Sequence, residues 1–209
     1  MFTNIIKYLN HRVLRIAQKQ NLTDLIDRIV LRNKDFCIVS NNCWNIGIYK
    51  NLRKPYNTPF VGLMIPTSDF INLIKNFNYY MSIDIKYSHF IPSEEYPIAN
   101  LDGVIIYFIH FKNIDDCISK WNRRRQRLNI FLKNKGVNDI IFKCCDLDSK
   151  NKENDYVKFR ELGLNRGIYF RQKRNSILLG RTNAIPGGPE LYSARILYYK
   201  AFISLFKGL

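Results

Sequence analysis

Apolar residues along this chain fall into two recurring spacings, and their order predicts most of the architecture. Short continuous apolar runs at 36–40, 59–65, 103–109 and 139–145 read as strands, that at 103–109 apolar on both faces. Between them, apolar residues recur every three or four positions, as one face of a helix requires. Phe70, Ile71, Leu73, Ile74 and Phe77 make one such stripe, with Thr67 or Ser68 as its N-cap. A long helix is predicted from 114 to 133, capped by Asn113 and carrying Asp115 and Asp116 in its positive first turn. Asn21 starts an earlier helix that turns Leu22, Leu25, Ile26 and Ile29 inward, with Asp24 as its capping-box partner. Further helices are expected over 44–53, 156–162 and, from Pro189 onward, to about 207. Residues 85–91 read as an edge strand, and 167–170 and 176–179 as short strands.

Strands that alternate with helices imply βαβ units. The expected fold is α/β: a three-layer α/β/α sandwich with a mixed, mainly parallel sheet, and 104–109 as its central strand. Residues 1–209 form a single domain in this reading, with an N-terminal helical segment over 1–33 and a C-terminal helix over 189–207.

Composition supports a packed globule. The 209 residues are 46% hydrophobic and 14% aromatic, enough for one sizeable core. No apolar run approaches the roughly 18 residues of a spanning helix. The N-terminus lacks the uninterrupted apolar core of a signal peptide, so a cytoplasmic location is expected. The five cysteines are odd in number and show no CxxC spacing, and no metal site is expected.

Charge changes the picture. Lys plus Arg number 33 against 17 Asp plus Glu, a net charge of +16 that attracts polyanions. Lys7, Arg12, Arg15 and Lys19 accompany an apolar stripe of Ile6, Leu9, Val13 and Ile16. Such a helix either packs on the domain or lies on an anionic leaflet, so peripheral association with the inner membrane is one expectation. Apolar residues of the C-terminal helix, among them Leu191, Phe202 and Phe206, leave the same choice open.

The candidate chemistry begins at Ser40-Asn41-Asn42-Cys43-Trp44, a polar step from a buried strand into a helix. Helix N-termini leave N–H groups unpaired and favour anions, and they lower a thiol pKa at Cys43. Three apolar strands end in Ser40, His110 and Asp146. Convergence of those ends would assemble a nucleophile (Ser40 or Cys43), a base (His110) and an orienting acid (Asp146). The plainer alternatives are an N-cap at Ser40–Asn42, a loop histidine, and a turn at Asp146 and Asp148. His11 and His89 read as structural. GxGxxG, GxxxxGK[ST] and GxSxG are all absent from the sequence.

A second constellation lies in the long helix, at Lys120-Trp121-Asn122-Arg123-Arg124-Arg125-Gln126-Arg127. Arg123 and Arg127 share a face, and Arg124 lies beside Arg127. Guanidinium forks next to an aromatic ring suit a phosphorylated sugar or a single-stranded nucleic acid. A solvated basic face with Trp121 in the core is the alternative.

The motif Ser40-Asn41-Asn42-Cys43-Trp44 is followed by Tyr49, by Tyr56-Asn57-Thr58-Pro59-Phe60-Val61-Gly62-Leu63, and by Tyr96-Pro97 and Asp102. Phe108-Ile109-His110-Phe111 and Trp121-Asn122-Arg123-Arg124 come next. In this order the chain resembles a bacterial family that carries a domain-of-unknown-function label and is often named exopolysaccharide biosynthesis protein. Asn45 departs from the glycine expected there. The resemblance covers about 34–148 and implies a three-layer α/β/α fold and a place in capsule or surface-glycan pathways.

The resulting expectation is a transferase, with acyl transfer favoured, acting on a phosphorylated or lipid-linked sugar. Ser40, Cys43, His110 and Asp146 would be catalytic, and Asn41, Asn42, Trp44, Tyr49, Trp121, Arg123, Arg124 and Arg127 would bind substrate. The alternative is a non-catalytic binding module for anionic glycan or nucleic acid. Cofactor and oligomeric state are not legible from the sequence.

Overall fold

The computed structural model of the chain describes residues 9, 12, 22–85, 89–91, 95–146, 150–171 and 187–209. The fold is α/β and contains a parallel sheet. Among the described residues that sheet has three strands, β1 (Cys37–Ser40), β5 (Ile140–Cys145) and β6 (Gly167–Phe170), in the order β1-β5-β6. Cys37 pairs with Ile140, and Phe142 with Gly167, both in parallel register. A second sheet is antiparallel and joins β2 (His89–Ile91), β3 (Ile98–Leu101) and β4 (Val104–Tyr107) in sequence order.

This corrects the expected central strand. β5 holds the middle of the parallel sheet, and all six of its residues are buried. Residues 104–107 instead return from β3 through the turn Asp102-Gly103, both with positive φ (47° and 86°). An Asp-Gly pair at two left-handed positions is the signature of a tight hairpin, which makes β4 an antiparallel partner. Residues 59–65 are not a strand either. Only Met64 bridges to Tyr107, through reciprocal hydrogen bonds of 2.8 Å.

Helix α1 (Leu22–Leu31) precedes β1, and α2 (Trp44–Asn51) follows it. Helices α3 (Thr67–Lys75) and α4 (Phe77–Ser82) lead to the antiparallel sheet. Helix α5 (Ile114–Asn134) leads into β5, and α6 (Lys152–Glu161) crosses from β5 to β6. The expected cap of α5 is present: Asn113 Oδ1 accepts from the Asp116 N–H at 2.9 Å. The expected cap of α3 is not. Pro66 precedes the helix, and Thr67 turns its hydroxyl to the Cys145 carbonyl at 2.9 Å.

The parallel sheet feeds two cores. Cys37, Val39, Ile140 and Phe142 point into one, shared with α3, α4, α5 and the antiparallel sheet. Ile38 and Ile141 point into the other, with Trp44 and Ile48 of α2 and the C-terminal residues Leu191, Phe202, Leu205 and Phe206. The expected continuous C-terminal helix is broken into α7 (Gly188–Ser193), a 3₁₀ turn (Arg195–Tyr198) and α8 (Tyr199–Ser204). Its apolar residues serve the second core.

Helix α1 is turned the other way from expectation. Thr23, Asp27 and Leu31 face inward, while Leu22, Leu25 and Ile29 are exposed. Asp27 sets the face: it accepts from Arg195 Nε at 2.7 Å and from the hydroxyls of Tyr199 (3.0 Å) and Tyr192 (3.3 Å). Arg195 also pairs with Asp24. A buried carboxylate needs its counter-charge, and that requirement overrides the apolar stripe. Leu9 and Arg12 are helical and exposed. The remainder of the basic N-terminal stripe, the start at Asn21, the strand expected over 176–179, His11 and Asp148 lie outside the described residues.

Candidate functional site

The Ser40–Trp44 step sits at the carboxyl end of β1, beside the end of β5. Its polar residues form a closed buried network. Ser40, Asn41 and Asn42 are at most 5% exposed. Asn42 Oδ1 accepts from the backbone N–H of Trp44 at 3.1 Å and from Lys143 Nζ at 2.7 Å. The Asn42 N–H donates to Ser40 Oγ at 3.3 Å. Asn41 Nδ2 donates to the Cys145 carbonyl at 3.0 Å, and Lys143 Nζ lies 3.3 Å from Cys145 Sγ. The N-cap position of α2 is Cys43, which makes no side-chain cap, so the expected cap at Ser40–Asn42 is absent. Asn42 accepts instead from the first helical N–H, and its neighbours tie β1 to β5.

Lys143 is fully buried, and the sequence reading passed over it. The signal was present: one lysine within an otherwise apolar central strand, Ile-Ile-Phe-Lys-Cys-Cys. A buried ammonium is tolerated where carbonyl oxygens and a sulfur receive its hydrogens.

A cavity of about 570 Å³ opens next to this network. Its wall includes Cys43, Gly62, His110, Lys50, Lys120 and Arg124, with Tyr56, Phe111 and Tyr192. Two of the four expected catalytic residues thus share one cavity. Cys43 Sγ lies 3.9 Å from the Leu63 carbonyl, and the His110 N–H donates to the Gly62 carbonyl at 3.1 Å. The two residues are anchored to consecutive peptide groups, with the His110 side chain exposed. Ser40 and Asp146 are not in the wall. Asp146 is buried at the end of β5, its N–H donating to the Phe170 carbonyl at 3.3 Å.

The electrostatics correct one expectation. Burial pushes the Cys43 thiol up to about 11, and nearby Lys143 pulls it down only in part. The start of α2 does not make a standing thiolate here. Desolvation of the charged sulfur outweighs the favourable dipole.

Arg124 is the cavity's chief cation. It is buried, donates to the Val61 carbonyl at 2.7 Å, and lies over the rings of Tyr56 (4.9 Å) and Phe111 (5.6 Å). Trp121, expected beside it as a stacking platform, is in the core against Phe60 and Phe108, with its indole N–H unpartnered among the described residues. Tyr56 and Phe111 occupy the position expected of Trp121. Arg123 and Arg127 are exposed outside the cavity wall, Arg127 donating to the Tyr56 carbonyl at 3.0 Å. Trp44 and Tyr49 are buried in the second core. Trp44 donates to the Tyr198 hydroxyl at 3.0 Å, and Tyr49 to Asn57 Oδ1 at 2.5 Å. Asn45, where glycine was expected, donates to the carbonyls of Ile38 (3.1 Å) and Phe60 (2.7 Å) and so ties β1 to the 58–63 loop.

Among the described residues no cluster of His, Cys, Asp and Glu could hold a metal ion, and no helix is long and apolar enough to cross a membrane. Over 144 residues the chain is 26% identical to an uncharacterized protein of Haemophilus influenzae, an alignment covering 68% of this chain and 65% of the relative. The chain thus spans just under two thirds of that relative's length. The model of a family described as a domain of unknown function, DUF1919, matches residues 14–178, and the chain belongs to that family.

Proposed function

We propose that the chain is a transferase of surface-glycan biosynthesis that acts on a phosphorylated or lipid-linked sugar in the Cys43–His110 cavity. The carrying observation is the cavity itself, which puts a thiol, an imidazole and three cations around one volume. Capsule or exopolysaccharide biosynthesis as the pathway rests on the family resemblance. A three-layer α/β/α sandwich belongs to the same proposal, supported by a parallel sheet buried on both faces.

Acyl transfer fits the residues as follows. With its pKa near 11, Cys43 attacks an acyl thioester as a thiol whose proton passes to His110 during attack. The donor thiolate leaves and takes up that proton, and an acyl-Cys43 thioester remains. A sugar hydroxyl then attacks it, His110 accepts the hydroxyl proton, and Cys43 leaves as a thiolate that recovers that proton. Lys50, Lys120 and Arg124 hold the sugar's phosphate, while Tyr56 and Phe111 supply flat surface for its ring.

Thermal-shift measurements with nucleotide sugars, acyl-coenzyme A and oligonucleotides compare the ligand classes side by side. Stabilisation by the first two and its loss in Arg124→Ala are expected. Turnover should disappear in Cys43→Ala and fall about a hundredfold or more in His110→Ala. Full turnover in either variant removes the mechanism. Stabilisation by oligonucleotides alone selects the binding-module alternative.

A further inference from the structure

Among the described residues, the outward face of α1 stays exposed and lines no part of the cavity. Leu22, Leu25 and Ile29 lie along one side at helical spacing, with Val30 adjacent, and Ile29 is 76% exposed. Beside them runs a groove of about 660 Å³ between α1 and the end of α2, lined by Arg28, Ile29, Arg32, Leu52 and Arg53. Arg53 is held there in a left-handed conformation (φ 54°), rare for a side chain other than glycine, asparagine or aspartate. Arg28 is braced on Asn51, with Nε 2.9 Å from Oδ1. The patch therefore combines contiguous exposed apolar side chains with three arginines on one small surface.

We infer that this face docks on an anionic lipid surface. The arginines would grip headgroup phosphates while Leu22, Leu25, Ile29 and Val30 enter the headgroup–acyl boundary. Charge selects this occupant over two rivals. Residues 1–20 contain Lys7, Arg12, Arg15 and Lys19 and no acidic residue, so they do not complement three arginines. A second copy of the chain would bring the same arginines against themselves. Nucleic acid would satisfy the arginines but leave the apolar row in water. This docking face is separate from the cavity chemistry and stands without it.

The test is co-sedimentation of the full chain with vesicles of phosphatidylcholine alone or mixed with phosphatidylglycerol, at low and high salt. Binding is expected only to the anionic vesicles and should weaken as salt rises. Arg28→Glu with Arg32→Glu and Arg53→Glu should lower partitioning by about a hundredfold or more, and Ile29→Asp by about tenfold. All four side chains are exposed, and circular dichroism verifies that each variant keeps the fold before its binding is compared. His110→Ala should bind vesicles like the unaltered chain, which keeps this test apart from that of the cavity. Equal binding to both vesicle types, or undiminished binding by the variants, overturns the inference. So does a dimer in size-exclusion chromatography that Ile29→Asp dissolves, or an oligonucleotide complex that the triple arginine variant abolishes and Ile29→Asp leaves intact.

Discussion

Cys43 shows how one side chain can be well placed and still unreactive at rest. It stands at the start of α2, yet burial holds its thiol at about 11, so nearly all of it is protonated at neutral pH. Alkylation by iodoacetamide should therefore be slow at pH 7 and rise about tenfold per pH unit toward pH 9, because only the thiolate reacts. Mass spectrometry of the Cys43 peptide reads this directly, and a rate that is already flat above pH 7 would refute the elevated value. The sequence made Cys43 visible through its position after a strand. It did not disclose the burial, which depends on the 60–63 loop and on residues near 190 closing over the site. Lys143 was legible as a charge in an apolar strand, but only the tertiary fold reveals that Asn41, Asn42 and Cys145 receive it.

At the scale of elements, the tie between α1 and the C-terminal segment rests on Asp27 and Arg195. Truncating one partner leaves an uncompensated buried charge, so Asp27→Leu or Arg195→Met alone should cost about 3–5 kcal/mol in urea unfolding. The double variant should cost clearly less than the sum of the two. Burial raises the Asp27 carboxyl above its ordinary value, while Arg195 and the tyrosine hydroxyls pull it back. With the folded-state value above the unfolded one, the carboxyl's contribution is complete at low pH and is lost as pH climbs through the raised value. The double variant should lack that slope. Element types were largely readable in the sequence: α5 with its Asn113 cap, β1, β5 and β6 all lie within a residue or two of expectation. Two orientations were not. The Asp102-Gly103 pair makes β3 and β4 a hairpin, a signal hidden by the apolar length of 104–109, and the ion pair turned α1 against its apolar stripe.

Across the whole molecule, the parallel sheet belongs to both cores at once. Trp121 reports on one and Trp44 on the other. Because β1 and β5 send alternate side chains into each, the two cores should melt together. Single-tryptophan variants, Trp44→Phe and Trp121→Phe, should give blue-shifted emission and superimposable urea transitions. An earlier transition for Trp44 would mean that the C-terminal segment unfolds on its own. The pairing of β1 with β5 also has a consequence for synthesis. Asn42 and Cys145 are hydrogen-bonded across 103 residues of chain, so β1 leaves the ribosome long before its partner exists. At about 5–20 residues per second, that interval is roughly 5–20 s. Through it, Phe36, Ile38 and Val39 are an unpaired apolar edge in need of a chaperone, and a pause in translation anywhere before β5 prolongs the exposure.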